Sequence, residues 1–362
     1  MKKTKIIDRT IIELVNFYVN NTTDPDSRDV FSKSIKKVTL FMQKLGVNYQ
    51  EINLTTLLLM QGLPKDVDYV YRIKKEKDFH VFKKYDFKKI IIKLNDLSVL
   101  KDNYFNDNFG ENHECILEIE ANSFQEALKV LEENEYKNWI HFINCIKIIG
   151  LSEELPHKAA EIIQEFRNAI DMNIELDISV EDRHASATAF SIESYNNGVE
   201  YITTSFCGYH CQGTRKWAPF EEVVMALNFI YGMNIQCDSK ILQDVKKIFE
   251  NITRKKIEKN KPVIGENIFK CESGIHVDAL CKNSSTYEPF NPEVIGQRRE
   301  FVLGKHSGST GLALKLNELK INYTKEEISI MLNKIREISI SGKGLIDNEM
   351  IFNMVNEIRV SN

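Results

Sequence analysis

The sequence predicts an α/β protein: a parallel sheet covered by helices, then a small mixed subdomain and a short helical tail. Strand-like and helix-like stretches alternate over residues 5–235, the pattern of a parallel sheet, which closed on itself would be a (β/α)8 barrel. Residues 261–311 then hold 6 of the 16 glycines and 3 of the 7 prolines, a density of turn-formers that marks loops on a scaffold. Beyond them only amphipathic patterns follow, at residues 310–319, 325–339 and 347–358.

The elements read as follows in chain order. Residues 5–8 form a short apolar run, 38–45 a helix stopped by Gly46, and 49–54 a strand. Residues 88–94 and 114–119 are β-branched runs that predict strands, and a helix follows at 124–132. Residues 139–149 fit either a strand or a buried helix, because a continuous apolar run has no decisive period. A helix at 158–170, a strand at 174–180, a helix at 187–196 before Gly198, a strand at 201–206 and a helix at 221–231 before Gly232 complete the series.

Bulk properties exclude several classes. Hydrophobic content of 43% and charged content of 28% belong to a globular protein large enough to bury a sizeable core. A net charge of −4 argues against nucleic-acid binding. The basic amino terminus is interrupted by Asp8, Arg9 and Glu13, so no signal peptide is expected, and no run is long enough to span a bilayer. Seven scattered cysteines, several in apolar runs (Cys115, Cys145, Cys237), read as buried reduced thiols, and the expected location is cytoplasmic.

Two histidines stand among small residues, in Ser273-Gly274-Ile275-His276 and Lys305-His306-Ser307-Gly308. With Gly265-Glu266-Asn267, Glu272 and Thr286-Tyr287-Glu288 they form a run that resembles the homocitrate synthase and isopropylmalate synthase family. Its pattern there is "GENxFxxESGIHxDxLxKxxxTYExFxPExxG…LGKHSG". The helix around Glu221-Glu222-Val223-Val224-Met225-Ala226-Leu227 is similar to the last barrel helix of that family, and Gly46-Val47 with Glu51-Ile52 to an early strand. The resemblance implies a barrel over residues 1–260, a loop-rich subdomain over 261–308 and a helical subdomain over 309–362. It also implies condensation of acetyl-CoA with a 2-oxo acid, whose carbonyl is polarised by a divalent metal held through oxygen and imidazole ligands.

The expected ligands are missing, which makes the barrel degenerate. In Asp8-Arg9-Thr10-Ile11-Ile12-Glu13-Leu14, Ile12 stands where the family has an arginine and Glu13 where it has a metal aspartate. Ser179 and Glu181 stand for two histidines, and the stretch from Cys207 to Arg215 for an asparagine loop. An isoleucine cannot stabilise an oxyanion, and serine is a poor metal ligand. No metal or cofactor is therefore expected in this chain. Cys207, His210 and Cys211 lack the spacing of a paired zinc knuckle. An ion at Glu13 with Glu181 or Asp182 would have an incomplete oxygen set, and Asp182 and His184 read as exposed strand-end residues.

Two readings follow from the resemblance. In the first, the chain is a subunit of a hetero-oligomeric homocitrate synthase serving nitrogenase iron-molybdenum cofactor assembly. In that family the carboxyl-terminal subdomain reaches over a partner's barrel. The partner would be the catalytic chain with the intact metal site (alpha subunit), carrying Mg or Mn, and the substrates acetyl-CoA and 2-oxoglutarate. His276 would then be the catalytic acid/base, with Glu272 orienting it or pairing with a cation, and Lys305, His306 and Ser307 would bind substrate before a helix start. The plainer alternatives are a core histidine at 276 and an ordinary capped helix start at 307. Arg298 and Arg299 could meet phosphates or be a solvated pair, and Tyr287 reads as a packed aromatic. In the second reading the chain is a non-catalytic binding or regulatory homologue.

Overall fold

The computed structural model describes residues 4–22, 26–99, 113–132, 142–170, 173–212, 216–233, 235, 237–341 and 346–360. The chain divides into two compact units, Met1–Lys256 and Ile257–Asn362.

The first unit is a closed barrel of eight parallel strands, β1 next to β2 and so on to β8, which pairs back onto β1. The strands are β1 (Lys5–Asp8), β2 (Tyr49–Ile52), β3 (Tyr69–Ile73), β4 (Lys89–Lys93), β5 (Glu114–Glu120), β6 (Ile143–Ile149), β7 (Glu175–Ile178) and β8 (Tyr201–Thr204). The described helices of this unit are α1 (Thr10–Asn21), α2 (Ser27–Lys44), α3 (Leu54–Met60), α4 (Lys77–Tyr85), α5 (Phe124–Glu132), α6 (Ala159–Ala169), α7 (Ala187–Asn196), α8 (Phe220–Phe229) and α9 (Leu242–Thr253).

The ambiguous apolar run resolves as a strand: Ile143–Ile149 is hydrogen-bonded on both sides, to β5 and β7, which a helix could not satisfy. Residues 139–141 of that run lie outside the described residues. Several predicted strands end early, β2 and β8 for visible local reasons. Asn53 leaves β2 to cap α3, its side chain accepting from Thr56 N at 2.9 Å, and Ser205 opens a tight turn after β8. The strand Tyr69–Ile73 was not anticipated, although Tyr-Val-Tyr-Arg-Ile is a good strand sequence. Nor was α1, whose Thr10-Ile11-Ile12 start is β-branched. Of the cysteines only Cys115 and Cys145 are buried; Cys237 is half-buried and Cys281 exposed.

Alternate residues of a strand point inward, so the barrel interior is built in layers. Toward the amino-terminal ends of the strands, Lys89 donates to the Tyr201 hydroxyl at 3.1 Å and lies over the Tyr49 and Tyr201 rings at 4.8 and 4.9 Å. Above it Ile7, Val70, Ile91, Ile116 and Cys145 form an apolar layer. Two residues after Ile7, Val70, Ile116 and Cys145 come Arg9, Arg72, Glu118 and Lys147, joined by Glu51 of β2 and Asp177 of β7. The barrel is plugged by greasy residues in its middle and by charges near its mouth.

Asp8, at the end of β1, is fully buried and accepts from Thr10 N at 2.9 Å and Thr204 Oγ1 at 3.0 Å. Burial raises its carboxyl from 3.8 to about 7 despite these bonds. Between those values the folded chain holds a proton that the unfolded chain has lost, so this group makes stability fall as pH rises from about 4 to about 7. Asp8→Asn can accept from Thr10 N and donate to Thr204 Oγ1. It is expected to flatten that part of a plot of urea midpoint against pH. An unchanged slope would assign the effect to another group.

The second unit has a two-stranded parallel ribbon, β9 (Lys270–Cys271) with β10 (Glu300–Phe301), and four helices among the described residues: α10 (Gly274–Lys282), α11 (Ser309–Glu318), α12 (Lys325–Ile340) and α13 (Asn348–Val360). Its core takes Leu312 and Leu316 from α11, Met331 and Ile335 from α12, and Ile351, Met354 and Ile358 from α13, all at helical three-to-four spacing. Thr324 and Glu327 form a capping box at the start of α12.

Candidate functional site

Two places gather chemistry-bearing side chains: the mouth of the barrel and a cleft in the second unit. At the mouth, Arg72 donates from Nε to Glu51 at 2.6 Å and in fork geometry to both oxygens of Glu118 at 3.1 and 2.5 Å. Lys147 lies 3.4 Å from Glu51 and 3.6 Å from Asp177, whose two oxygens accept from Thr203 Oγ1 at 2.9 and 2.8 Å. Burial opposes ionisation of Glu51 and Glu118. The charges of Arg72, Arg9 and Lys147 and the Arg72 hydrogen bonds together outweigh it, holding Glu51 well below the usual range and Glu118 at about 2. For Asp177 burial prevails and the carboxyl is raised.

Above this network lies Glu13, on the first turn of α1. Its Oε1 accepts from Trp217 Nε1 at 3.1 Å and its Oε2 from Cys211 N at 3.0 Å. Arg9 Nη2 approaches Oε1 at 3.4 Å, and the guanidinium stacks 4.2 Å from the Trp217 ring. Cys207, at φ +59, bends the loop after β8 and donates its N–H to Glu221. Burial lowers His210, while burial and then the Glu13 carboxylate raise Cys211. Ser179 is buried, and its hydroxyl has no hydrogen-bond partner among the described residues.

These residues do not fit the hard divalent ion that the resemblance implies for the barrel. Such an ion needs about six oxygen ligands in open positions. Here Glu51, Glu118 and Asp177 are bound to cations, and Arg9 and Trp217 occupy one of the two oxygens of Glu13, which leaves too few oxygen ligands for such an ion. Glu181 pairs with Lys216 at 3.3 Å. Asp182, expected to be exposed, is 5% exposed and accepts from Ala187 N at 2.8 Å, fixing the start of α7. His184 is exposed, 3.2 Å from Glu153.

The cleft of the second unit, ≈ 710 Å³, is lined by Glu272, Ser273, Ile275, Asp278, His306 and Thr310. The starts of α10 and α11 open onto it and give it positive partial charge. Its floor is two interlocked loops. Gly274 N donates to His306 O at 3.2 Å, and a Cβ on Gly274 would sit 2.9 Å from Gly308 N, so only glycine permits the approach. A Cβ on Gly304 would sit 2.6 Å from a Glu272 carboxylate oxygen, and Glu272 accepts from His306 N at 2.8 Å.

The predicted site residues thus divide. Glu272 and His306 share the cleft, but Glu272 holds the His306 backbone rather than the His276 ring. His276 is exposed, not a core residue, and its ring packs at a tilt of 42° against the half-exposed Tyr287, 4.2 Å between centroids, rather than lining the cleft. Lys305 is exposed. Ser307 is buried and accepts from Gly304 N at 2.9 Å, so it braces the loop; α11 starts at Ser309 with no side-chain cap. Arg299 is committed to Glu288 at 2.6 and 2.5 Å and does not stand free for phosphate. The mouth network was missed, although its signal was present as a charged residue inside each of several β-branched strands: Arg72, Glu118, Lys147 and Asp177.

The chain is similar to known proteins in sequence and in fold. Residues 263–343 match the family described as "Homocitrate synthase post-HMGL domain-like". The chain is 35% identical to the "Homocitrate synthase, omega subunit" of Clostridium pasteurianum, over 96% of this chain and 94% of that one. It is 31% identical to "Homocitrate synthase AksA" of Methanothermobacter thermautotrophicus, over 63% of this chain and 56% of that one. Among solved structures, the hydroxymethylglutaryl-CoA lyase of Pseudomonas aeruginosa matches 70% of this chain and 94% of its own, with TM-score 0.55 and 12% identity, a likeness of fold. Among the described residues no helix is long and apolar enough to cross a membrane.

Proposed function

The chain belongs to the homocitrate synthase family, and from that premise we propose that it is the subunit of a hetero-oligomeric homocitrate synthase whose own barrel does no chemistry. The observation that carries this is the contrast between its two units. The mouth of the barrel is closed by ion pairs, with Ile12 and Ser179 where an oxyanion arginine and a metal histidine are expected, while the second unit presents an open cleft and an exposed His276. The name of the Clostridium pasteurianum relative supports a partner chain.

In this reading acetyl-CoA, 2-oxoglutarate and water give homocitrate and CoA, and the product serves nitrogenase cofactor assembly. Mg or Mn belongs in the barrel of the catalytic alpha chain and supplies Lewis-acid polarisation of the oxo-acid carbonyl when bound. From this chain, His276 moves a proton on acetyl-CoA. Glu272 and Ser307 hold the His306 loop in place, and Lys305 and His306 face the substrate. The chain works in the cytoplasm. In the second reading it is a binding or regulatory homologue, favoured by the engagement of Glu272 and Ser307 in internal hydrogen bonds.

The test is to assay acetyl-CoA consumption with 2-oxoglutarate for the purified chain alone, for a homocitrate synthase chain with an intact metal motif from the same cell, and for the two together. We expect activity only in the mixture. Turnover by this chain alone would refute the proposal, and a mixture no faster than the catalytic chain alone would select the regulatory reading.

A further inference from the structure

We propose that Glu13, His210 and Cys211 form a binding site for a borderline-soft divalent ion, with Zn²⁺ the best match. One ligand atom from each lies within 4.8 Å of the others. His210 Nε2 and Cys211 Sγ are 3.8 Å apart. Zinc bonds of roughly 2.0 Å to nitrogen and 2.3 Å to sulfur place two tetrahedral ligands about 3.5–3.8 Å apart.

The site is assembled by closure of the barrel. β8 lies beside β1, and Phe206 N donates to Thr10 Oγ1 at 2.8 Å, which brings the loop after β8 against the start of α1. The two edges of the Glu13 carboxylate are then divided: Oε1 faces Arg9 and Trp217, while Oε2 faces Cys211. The backbone N–H on Oε2 uses one lone pair and leaves another for a metal. The long 3.4 Å approach of Gln212 N to His210 Nδ1 gives way when that nitrogen takes up the ring proton. Glu13 is buried while His210 and Cys211 are half-buried, so a fourth position opens toward solvent for water.

This set differs from the oxygen-rich one that condensation needs. Glu13 and the loop after β8 stand where the resemblance places the metal aspartate and the asparagine loop, but the donors differ, and thiolate with imidazole selects Zn²⁺ over Mg²⁺. On binding, the Cys211 thiol releases its proton to solvent and forms the metal–sulfur bond. The ion would clamp the loop after β8 onto α1. The inference does not depend on whether the chain works with a partner.

The experiment uses the full chain, reduced and freed of metal, and titrates Co²⁺ as a spectroscopic probe before displacing it with Zn²⁺. We expect one equivalent to bind, with a thiolate-to-cobalt charge-transfer band and tetrahedral visible bands. Cys211→Ser should abolish the charge-transfer band. His210→Gln should weaken Zn²⁺ in chelator competition by at least about 10–100-fold, the loss seen even for supporting groups. Cys281→Ser, at an exposed thiol in the second unit, should change neither. Absence of stoichiometric uptake, a band that survives Cys211→Ser, or one lost with Cys281→Ser overturns the proposal. Circular dichroism of each variant reports whether it is folded.

Discussion

Replacing His276 with alanine is expected to lower kcat of the mixed enzyme by about 10²–10⁴-fold, the contribution of a positioned general acid or base. The ring sits near the start of α10, exposed, with one face against Tyr287 at 4.2 Å. An imidazole so placed is oriented but not consumed, because its partner is a ring and not a carbonyl or carboxylate. The residues that hold α10 in place, Gly274, Val277 and Leu280, are left untouched by the change, so the helix should persist. The expected result is a fall in kcat with little change in KM and an unchanged melting temperature. Tyr287→Phe keeps the packed ring and should cost far less. A His276→Ala mixture that turns over at the normal rate would remove His276 from the site and leave the cleft beside His306 as the contact with substrate.

Arg72→Met is the largest stability change we anticipate, a loss of about 3–5 kcal/mol in denaturant unfolding. The reason is asymmetry. Arg72 makes three hydrogen bonds to Glu51 and Glu118, all buried, so its removal leaves two carboxylates in a poorly solvated interior. That guanidinium, with smaller help from Arg9 and Lys147, holds both carboxyls low against burial, so without it each must ionise at a larger net desolvation cost or take a proton. The wild-type contribution is present above the ordinary glutamate range near 4.5 and is lost as pH falls toward about 2. In Arg72→Met the stability gap should therefore close under acid. Adding Glu118→Leu should recover part of the loss, because apolar groups of similar volume can replace a buried pair. A single-variant loss below about 1 kcal/mol would show that water already solvates the mouth, and the picture of a sealed barrel would fail.

Most strands and helices were legible because each declares itself within a dozen residues. The run Ile90-Ile91-Ile92 reads as buried strand wherever it sits, and Ala187 to Gly198 as a helix with its stop. The failures have local causes. The β-branched start of α1 disguised a helix, and the apolar run of β6 carried no period until its neighbours on both sides were known. At the site, Ser307 read as a possible ligand because loop and turn chemistry share residue types; its burial assigns it to the turn.

By itself the sequence determined which side chains could serve as ligands or donors, since that capacity belongs to the side-chain type: the Ile12 side chain cannot donate to an oxyanion in any fold. It also marked residues 261–311 as a dense block of turn-formers and titratable groups. Only the tertiary structure decided where the charges go. Glu51, Arg72, Glu118, Lys147 and Asp177 come from five strands, and nothing in their spacing says that they neutralise one another. Closure of eight strands sets a common register, and that register brings distant residues to one height inside the barrel. The same closure sets Glu13 beside Cys211, 198 residues away along the chain, because β1 and β8 share an edge.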